Sequence, residues 1–296
     1  MKFINSLAFG LVLVSTLPAQ DENQSTSDYT VTAGLQYCTG AGKALLMDVF
    51  VPRKRIHDTP AVLWLHGGGW ERGDKNGSSG ARFLASAGFF TASIYYRLSG
   101  EAKFPADIED CKCAIRYLRA NSRRFGIDPS RIGVAGASSG GHLALLVGTV
   151  DEKAGLEGSG GWPNISSRVK AVVSYYGPTD FRTMSTDFGA RAQAAITKLL
   201  GVPFQEGPAA YAHASPITYI SPDDPPLLMF HGDSDTLVPF SQSERMREAY
   251  VRVGLQAELV KVGNANHDFE PVSNKPLSIS VEHIHSMTVD FFKRTL

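Results

Sequence analysis

The sequence predicts an α/β fold, with a mostly parallel central sheet, helices on both faces and a small cap. Three observations carry that prediction. Short apolar runs of strand length alternate along the chain with longer segments of helical periodicity, the pattern of a sheet covered on both sides. The loops richest in Gly, His, Ser and Asp each follow the carboxyl end of a predicted strand, where open sheets of this class keep their reactive groups. The length of 296 residues, with 43% hydrophobic and 20% charged residues, suits one domain with a large core.

The elements follow in order. "LLMDVFVP" (Leu45 to Pro52), "AVLWLHGGG" (Ala61 to Gly69) and "FFTASIYYRL" from Phe89 read as buried strands. "FPADIEDCKCAIRYLRANSRRFG" reads as a helix that puts Ile108, Cys111, Ala114, Ile115 and Leu118 on one face. "RIGVAG" is a short strand and "SGGHLALLVG" the helix after it. "VKAVVSYYG" (Val169 to Gly177), "PPLLMFHG" (Pro225 to Gly232) and "AELVKVG" (Ala257 to Gly263) complete the strands. "SQSERMREAYVRVG" is a helix between the last two, and "HIHSMTVDFFKRTL" closes the chain. The segment 181–219 is the expected cap.

The N-terminus reads differently. Lys2, an apolar stretch from Phe3 to Leu17 and the polar "DENQSTSD" after "LPAQ" form a secretory signal over residues 1–20, with cleavage expected after Ala19. The stretch is too short and too interrupted for a stable membrane anchor. Residues 21–296 then form the single domain. Of three cysteines, Cys111 and Cys113 lie two apart on one helix and should not bridge each other. Export permits one disulfide and one free thiol, but small buried hydrophobes are the expected role. A net charge of +0 with scattered charges gives no footprint for nucleic acid or an anionic membrane. Cys-x-Cys supplies too few ligands for a metal site.

"GVAGASSGGHLALLVG" holds two adjacent serines between a strand and a helix. A nucleophile on such a turn has a strained backbone and needs small residues two before and two after it. Ser138 has Gly136 and Gly140 there; Ser139 has Ala137 and Gly141, a weaker match. Ser138 is therefore the expected nucleophile, and the Ser139 N–H, opening the next helix, becomes a donor for an oxyanion.

A serine needs a base, and the base needs an orienting carboxylate. Among the eight histidines, His267 in "NANHDF" sits in a short polar loop after the last strand. His142 lies one turn into the helix, His231 closes a buried strand, and His283 and His285 belong to the terminal helix. In "HGDSD", Asp235 lies far enough out to reach the histidine loop, whereas Asp233 suits the turn itself; Asp180 and Asp268 stand behind them. "HGGGW" supplies Gly68 and Gly69 as further oxyanion donors, with His66 bracing the loop. Trp70, Tyr96, Tyr176 and Phe269 are the expected pocket walls. Acyl transfer by such a set calls on no metal or organic cofactor.

Together "HGGGW", "YRLSGEAKFPADIEDCKCAIRYLRAN", "GIDPSRIGVAGASSGGHLA", "HGDSDTLVPFSQS" and "NANHDF" resemble the α/β-hydrolase superfamily, and within it the hormone-sensitive-lipase-like esterases and bacterial carbohydrate esterases. The resemblance runs from about Gln36 onward. It implies an eight-stranded mixed sheet, Ser138, Asp235 and His267 as the triad, and an oxyanion hole from the glycine run plus Ser139. Ala137 and Ser139 stand where the lipase-like members usually have an acidic residue and alanine. That departure brings the chain closer to secreted esterases acting on acetylated or feruloylated sugars. The expectation is a secreted serine carboxylesterase for short acyl groups, acting on a small-molecule or carbohydrate ester. An arylformamidase-type amide hydrolase, which shares the glycine-tryptophan loop and the triad, is the alternative.

Overall fold

The computed structural model describes residues 28–55, 57–77 and 79–296. The expected signal at residues 1–20 lies outside them. Eight strands form one sheet in the order β1-β2-β4-β3-β5-β6-β7-β8. They are β1 (Tyr29–Gly40), β2 (Lys43–Pro52), β3 (Thr59–Leu65), β4 (Phe90–Ile94), β5 (Ile127–Ala137), β6 (Val172–Tyr175), β7 (Leu227–Gly232) and β8 (Ala257–Val262). β2 pairs antiparallel with both β1 and β4, and every pair from β4 to β8 is parallel. The mixed eight-stranded sheet that the family resemblance implies is therefore present.

The helical segments are α1 (Ser79–Ser86), α2 (Ala106–Ala120), α3 (Ser122–Phe125), α4 (Ser139–Thr149), α5 (Met184–Asp187), α6 (Ala190–Leu200), α7 (Pro208–His213), α8 (Ser241–Arg252) and α9 (Val281–Thr295). Alternation along β3 shows how the layers are built. Ala61, Leu63 and Leu65 join one core with Ile108 and Leu118 of α2, Leu143 of α4 and Met246 of α8. Val62 and Trp64 join the other, with Leu84 of α1 and Ile284, Phe291 and Phe292 of α9. Successive side chains of a strand point to opposite faces, so helices cover both sides.

Three features differ from the sequence reading. β1 was not expected: it is an edge strand, mostly exposed over its first half, and its register shifts between Thr32 and Leu35 and between Gln36 and Cys38. Its sequence does alternate, with Tyr29, Val31, Ala33, Leu35 and Tyr37 set against Thr30, Thr32, Gly34 and Gln36, but it lacks the continuous apolar run of the buried strands. The long helix expected from Phe104 to Gly126 divides at Asn121, and α3 ends at Gly126 in the left-handed conformation. Finally, two of the three cysteines are not simple buried hydrophobes, because Cys38 of β1 and Cys113 of α2 form a disulfide. That pairing depends on the unforeseen strand. Cys111 is a buried free thiol.

Between β6 and β7 the chain runs through α5, α6 and α7, flanked by short 3-10 turns at Phe181–Thr183 and Pro216–Tyr219. Gln242, buried in the first turn of α8, ties this insertion to the body. Its carbonyl oxygen accepts from the Thr179 and Asp180 N–H groups at 2.9 and 2.8 Å, and its amide donates to Asp187 at 2.8 Å. Among the described residues no helix is long and apolar enough to cross a membrane.

Candidate active site

Four loops meet at the carboxyl edge of the sheet. The turn from β5 into α4 carries Ser138, whose φ of 55° and ψ of −119° are strained for a side-chain-bearing residue. Two glycines make the turn possible. A Cβ on Gly136 would lie 2.3 Å from the Gly140 carbonyl oxygen, and one on Gly140 would lie 2.2 Å from that of Leu65. The Ser138 N–H donates to the Tyr175 carbonyl at 2.9 Å, locking the turn onto β6.

The two serines separate clearly. Ser138 Oγ lies 2.9 Å from His267 Nε2. Ser139 Oγ is buried and makes no hydrogen bond to His267 or to any other described residue. His267 Nδ1 donates to Asp235 Oδ2 at 2.7 Å, which fixes the tautomer and leaves Nε2 free to accept the serine proton.

Asp235 is held from several directions. Its Oδ1 accepts the N–H groups of Leu237 and Val238, both at 2.9 Å. Its Oδ2 faces His231 Nε2 at 3.4 Å as well as His267. Burial works to raise its pKa, but the hydrogen bonds with His231 and His267, the electrostatic attraction of His267 and the Val238 amide outweigh it. The carboxyl therefore sits well below the usual range and stays ionised. His231 adds a support that sequence reasoning treated only as a buried strand end. Its Nε2 donates to the Val238 carbonyl at 2.8 Å, so Nδ1 accepts from the Ser243 hydroxyl at 2.7 Å. The competing carboxylates are occupied elsewhere. Asp233 accepts from the Ser234 hydroxyl, and Asp180 pairs with Arg182 at 2.7 Å.

The glycine loop passes over Ser138. Gly67 lies against Ala137 and Ser138. Gly68, at φ 124°, has no room for a Cβ, which would meet the Arg72 carbonyl oxygen at 2.0 Å. Among the described residues, the N–H groups of Gly68, Gly69 and Ser139 donate to no acceptor of the chain, and Ser139 opens α4, whose dipole adds positive potential. His66 braces the loop, as expected: its Nδ1 lies 2.7 Å from the Gly67 carbonyl, and its ring stacks on Tyr96 at 4.3 Å.

The cleft holding Ser138 and His267 has a volume of about 360 Å³. Of the four expected wall residues, only Trp70 lines it. Tyr96 is fully buried behind the glycine loop, with its hydroxyl donating to the His66 carbonyl at 2.8 Å. Phe269 packs into the core against Tyr175 and Tyr176. Tyr176 packs edge-on against the His267 ring at 4.7 Å and steadies the imidazole without facing the cleft. Positive φ angles at Tyr176 and Phe269, 42° and 59°, turn the chain back at these positions.

The residues that do form the walls come largely from the insertion and from the segment after Asp235. They include Phe188, Ala192, Ala195 and Ile196, and then Leu237 and Val238. Their signal was present as the i, i+3, i+4 spacing of Ala192, Ala195 and Ile196. His142 joins insertion and loop. Its Nδ1 accepts from Trp70 Nε1 at 3.3 Å, and its Nε2 donates to the Ala214 carbonyl at 2.7 Å. Burial pushes its pKa down to about 4 against the opposing pull of that carbonyl, so the ring is neutral.

The chain is similar to known esterases in sequence and in fold. The family model described as BD-FAE matches residues 47–250. Esterase LipC of Mycobacterium tuberculosis is 30% identical over 275 residues, which cover 87% of this chain and 66% of LipC. The probable carboxylic ester hydrolase LipM of the same organism is 30% identical over 207 residues, covering 68% of this chain and 48% of LipM. The chain thus spans about half to two thirds of the length of these curated relatives. A solved structure described as a truncated form of carbohydrate esterase from gut microbiota superimposes with a TM-score of 0.79 at 29% identity, over 92% of this chain and 98% of that one.

Proposed function

The chain belongs to the BD-FAE family of the α/β-hydrolase fold, and from that premise we propose that it is a secreted serine carboxylesterase that removes short acyl groups, acetyl or feruloyl, from carbohydrates. The observation that carries the reading is the unbroken line from Asp235 through His267 to Ser138, with steps of 2.7 and 2.9 Å, opening into a cleft under the glycine loop.

In this reading His267 Nε2 takes the Ser138 proton as Oγ attacks the ester carbonyl. The carbonyl oxygen becomes an anion and is received by the N–H groups of Gly68, Gly69 and Ser139. His267, steadied as imidazolium by Asp235, then protonates the departing alcohol, leaving an acyl-enzyme on Ser138. Water, deprotonated by His267, attacks that acyl group; collapse releases the acid and returns the proton to Ser138. Each oxyanion donor is worth roughly a hundred- to a thousandfold in turnover.

Substrate size follows from the walls. A cleft of about 360 Å³ is at the small end for ligand sites, and the apolar part formed by Phe188, Ile196 and Val238 suits a short acyl group rather than a lipid chain. The Cys38–Cys113 disulfide supports an oxidising destination and so the secretory reading of the N-terminus.

The test combines labelling with a substrate panel. A fluorophosphonate should modify one serine, in the peptide containing Ser138. Ser138→Ala should lose both the label and turnover of 4-nitrophenyl acetate, whereas Ser139→Ala should keep the label. Acetate released from acetylated xylan with loss of activity beyond butyrate in a 4-nitrophenyl series supports the short-acyl reading, whereas ferulate released from feruloyl esters supports the feruloyl one. An N-formylkynurenine arm tests the formamidase alternative. Label on Ser139, or full activity in Ser138→Ala, overturns the assignment.

A further inference from the structure

Two cations in the cleft are left over from the chemistry. Arg72, at the end of the glycine loop, and Arg191, in the first turn of α6, both line the cavity that holds Ser138 and His267. Both are exposed. Among the described residues neither guanidinium has a carboxylate within 4.0 Å, nor an acceptor for its N–H groups. The nearby acids are already committed: Glu71 pairs with Lys198 at 2.7 Å, and Asp187 with Arg245 at 2.5 Å.

Phe188, Ile196 and Val238 line the cleft as buried apolar residues, while Arg72 and Arg191 line it as exposed ones. A short acyl group suits the buried apolar walls, which leaves the exposed arginines to the alcohol part of the ester. Arg191 also sits at the start of α6, where the helix dipole has the same sign as the guanidinium. Asp268, the other ionisable acid on the cleft, belongs to the histidine loop and repels an anion from that side.

Building on the esterase reading, we infer that Arg72 and Arg191 form an anion-recognising subsite for the alcohol portion of the substrate, so that the preferred ester is borne by a sugar carrying a carboxylate or a sulfate. A guanidinium presents a fork of N–H donors that matches either oxyanion. The subsite determines specificity and takes no part in the bond changes at Ser138.

Acetate release is to be measured from acetylated polygalacturonate and from the same polymer with its carboxylates capped as amides. A second arm compares acetylated cellulose sulfate with acetylated cellulose. At low salt the charged polymer should give a kcat/KM at least about fivefold higher in one or both arms, a difference in line with exposed ion pairs. The preference should shrink in 0.5 M NaCl, about 4 Å of Debye screening. Arg72→Gln combined with Arg191→Gln should bring the charged-to-neutral ratio close to one, and Arg191→Glu should push it below. Preference in one arm alone identifies the anion. A wild-type ratio of one or less in both arms, or a ratio unmoved in the double variant, overturns the subsite. 4-Nitrophenyl acetate is the reference: wild-type inactivity there overturns the esterase reading itself, whereas normal turnover without anion preference overturns the subsite alone.

Discussion

Replacing Asp235 by asparagine changes one atom and should reverse the direction of a proton. The carboxylate has two distinct sides: Oδ1 accepts the Leu237 and Val238 N–H groups at 2.9 Å each, and Oδ2 faces the His267 ring at 2.7 Å. An asparagine must keep its oxygen toward the two backbone donors, because an NH₂ group there would meet them head-on. Its NH₂ then faces His267 Nδ1, which can accept only by giving up its proton. The proton moves to Nε2, and the imidazole no longer accepts from Ser138 at 2.9 Å. A wrong tautomer of this kind lowers kcat on the order of ten-thousandfold, or about 5.5 kcal/mol at the transition state. Loss of the charge-assisted bonds should lower stability by only about 1–3 kcal/mol. The assay is steady-state hydrolysis of 4-nitrophenyl acetate, with a thermal melt to show that the variant folds. Asp233→Asn, whose carboxylate serves the adjacent Ser234, should stay within about threefold of wild type, an effect well under 1 kcal/mol. A folded Asp235→Asn protein with kcat within tenfold of wild type would refute the orienting role.

Three further outcomes follow from the same geometry. Gly140→Ala forces a Cβ to 2.2 Å from the Leu65 carbonyl and should cost about 3 kcal/mol or more by denaturant titration, whereas Gly100→Ala, with nothing within 4 Å, should change stability by less than about 0.5 kcal/mol. Replacing both Cys38 and Cys113 by alanine releases a loop of 75 residues and should lower unfolding free energy by about 4 kcal/mol, read from melts of variant and wild type in the absence of reductant. For His142 the sign is set by its lowered pKa. Above pH 6.5 both folded and unfolded states hold it neutral, and between pH 6.5 and about 4 only the unfolded chain takes the proton. Stability therefore declines as pH falls through that window, by about 3 kcal/mol in total, and His142→Gln should flatten the decline in a pH series of denaturant titrations.

What the sequence made legible was whatever is written locally. The parallel strands appear as apolar runs, and the nucleophile turn declares itself because close backbone approach at Gly136 and Gly140 admits no other residue type. Asp235 and His267, singled out for their distance along strand-end loops, are joined by a hydrogen bond of 2.7 Å. The edge strand β1 was missed although Tyr29 to Tyr37 alternate at period two, because it has no continuous apolar run like those of the buried strands, and the Cys38–Cys113 bond was hidden with it. The pocket walls failed for another reason. Tyr96, Tyr176 and Phe269 stand beside catalytic loops in sequence, but which way a side chain points after a strand end depends on one or two backbone angles, and the aromatic rings turn inward to support the loops. Arg72 and Arg191 carry no pattern in sequence; only the folded cleft shows that they lack partners among the described residues.

The contacts that fasten the β6–β7 insertion explain where specificity can vary. Lys198 of α6 pairs with Glu71 of the glycine loop, Ala214 receives the His142 ring that also holds Trp70, and Gln242 binds both ends of the stretch from Thr179 to Asp187. These fastenings are polar, and although Glu71 and Trp70 also line the cleft, none of them uses the residues that α6 shows to it, so they fix the position of α6 without dictating those side chains. Ala192 and Ala195 are small residues on that face, and Ala195 lies opposite Gly69. Ser138, Asp235 and His267, by contrast, follow β5, β7 and β8, and Asp235 is held by the Leu237 and Val238 N–H groups; none of these belongs to the insertion. Reaction and selection are thus carried by separate parts of the chain: the sheet edge holds the proton path rigid, and α6 with the end of the glycine loop sets how large an acyl group enters and what charge its alcohol may carry.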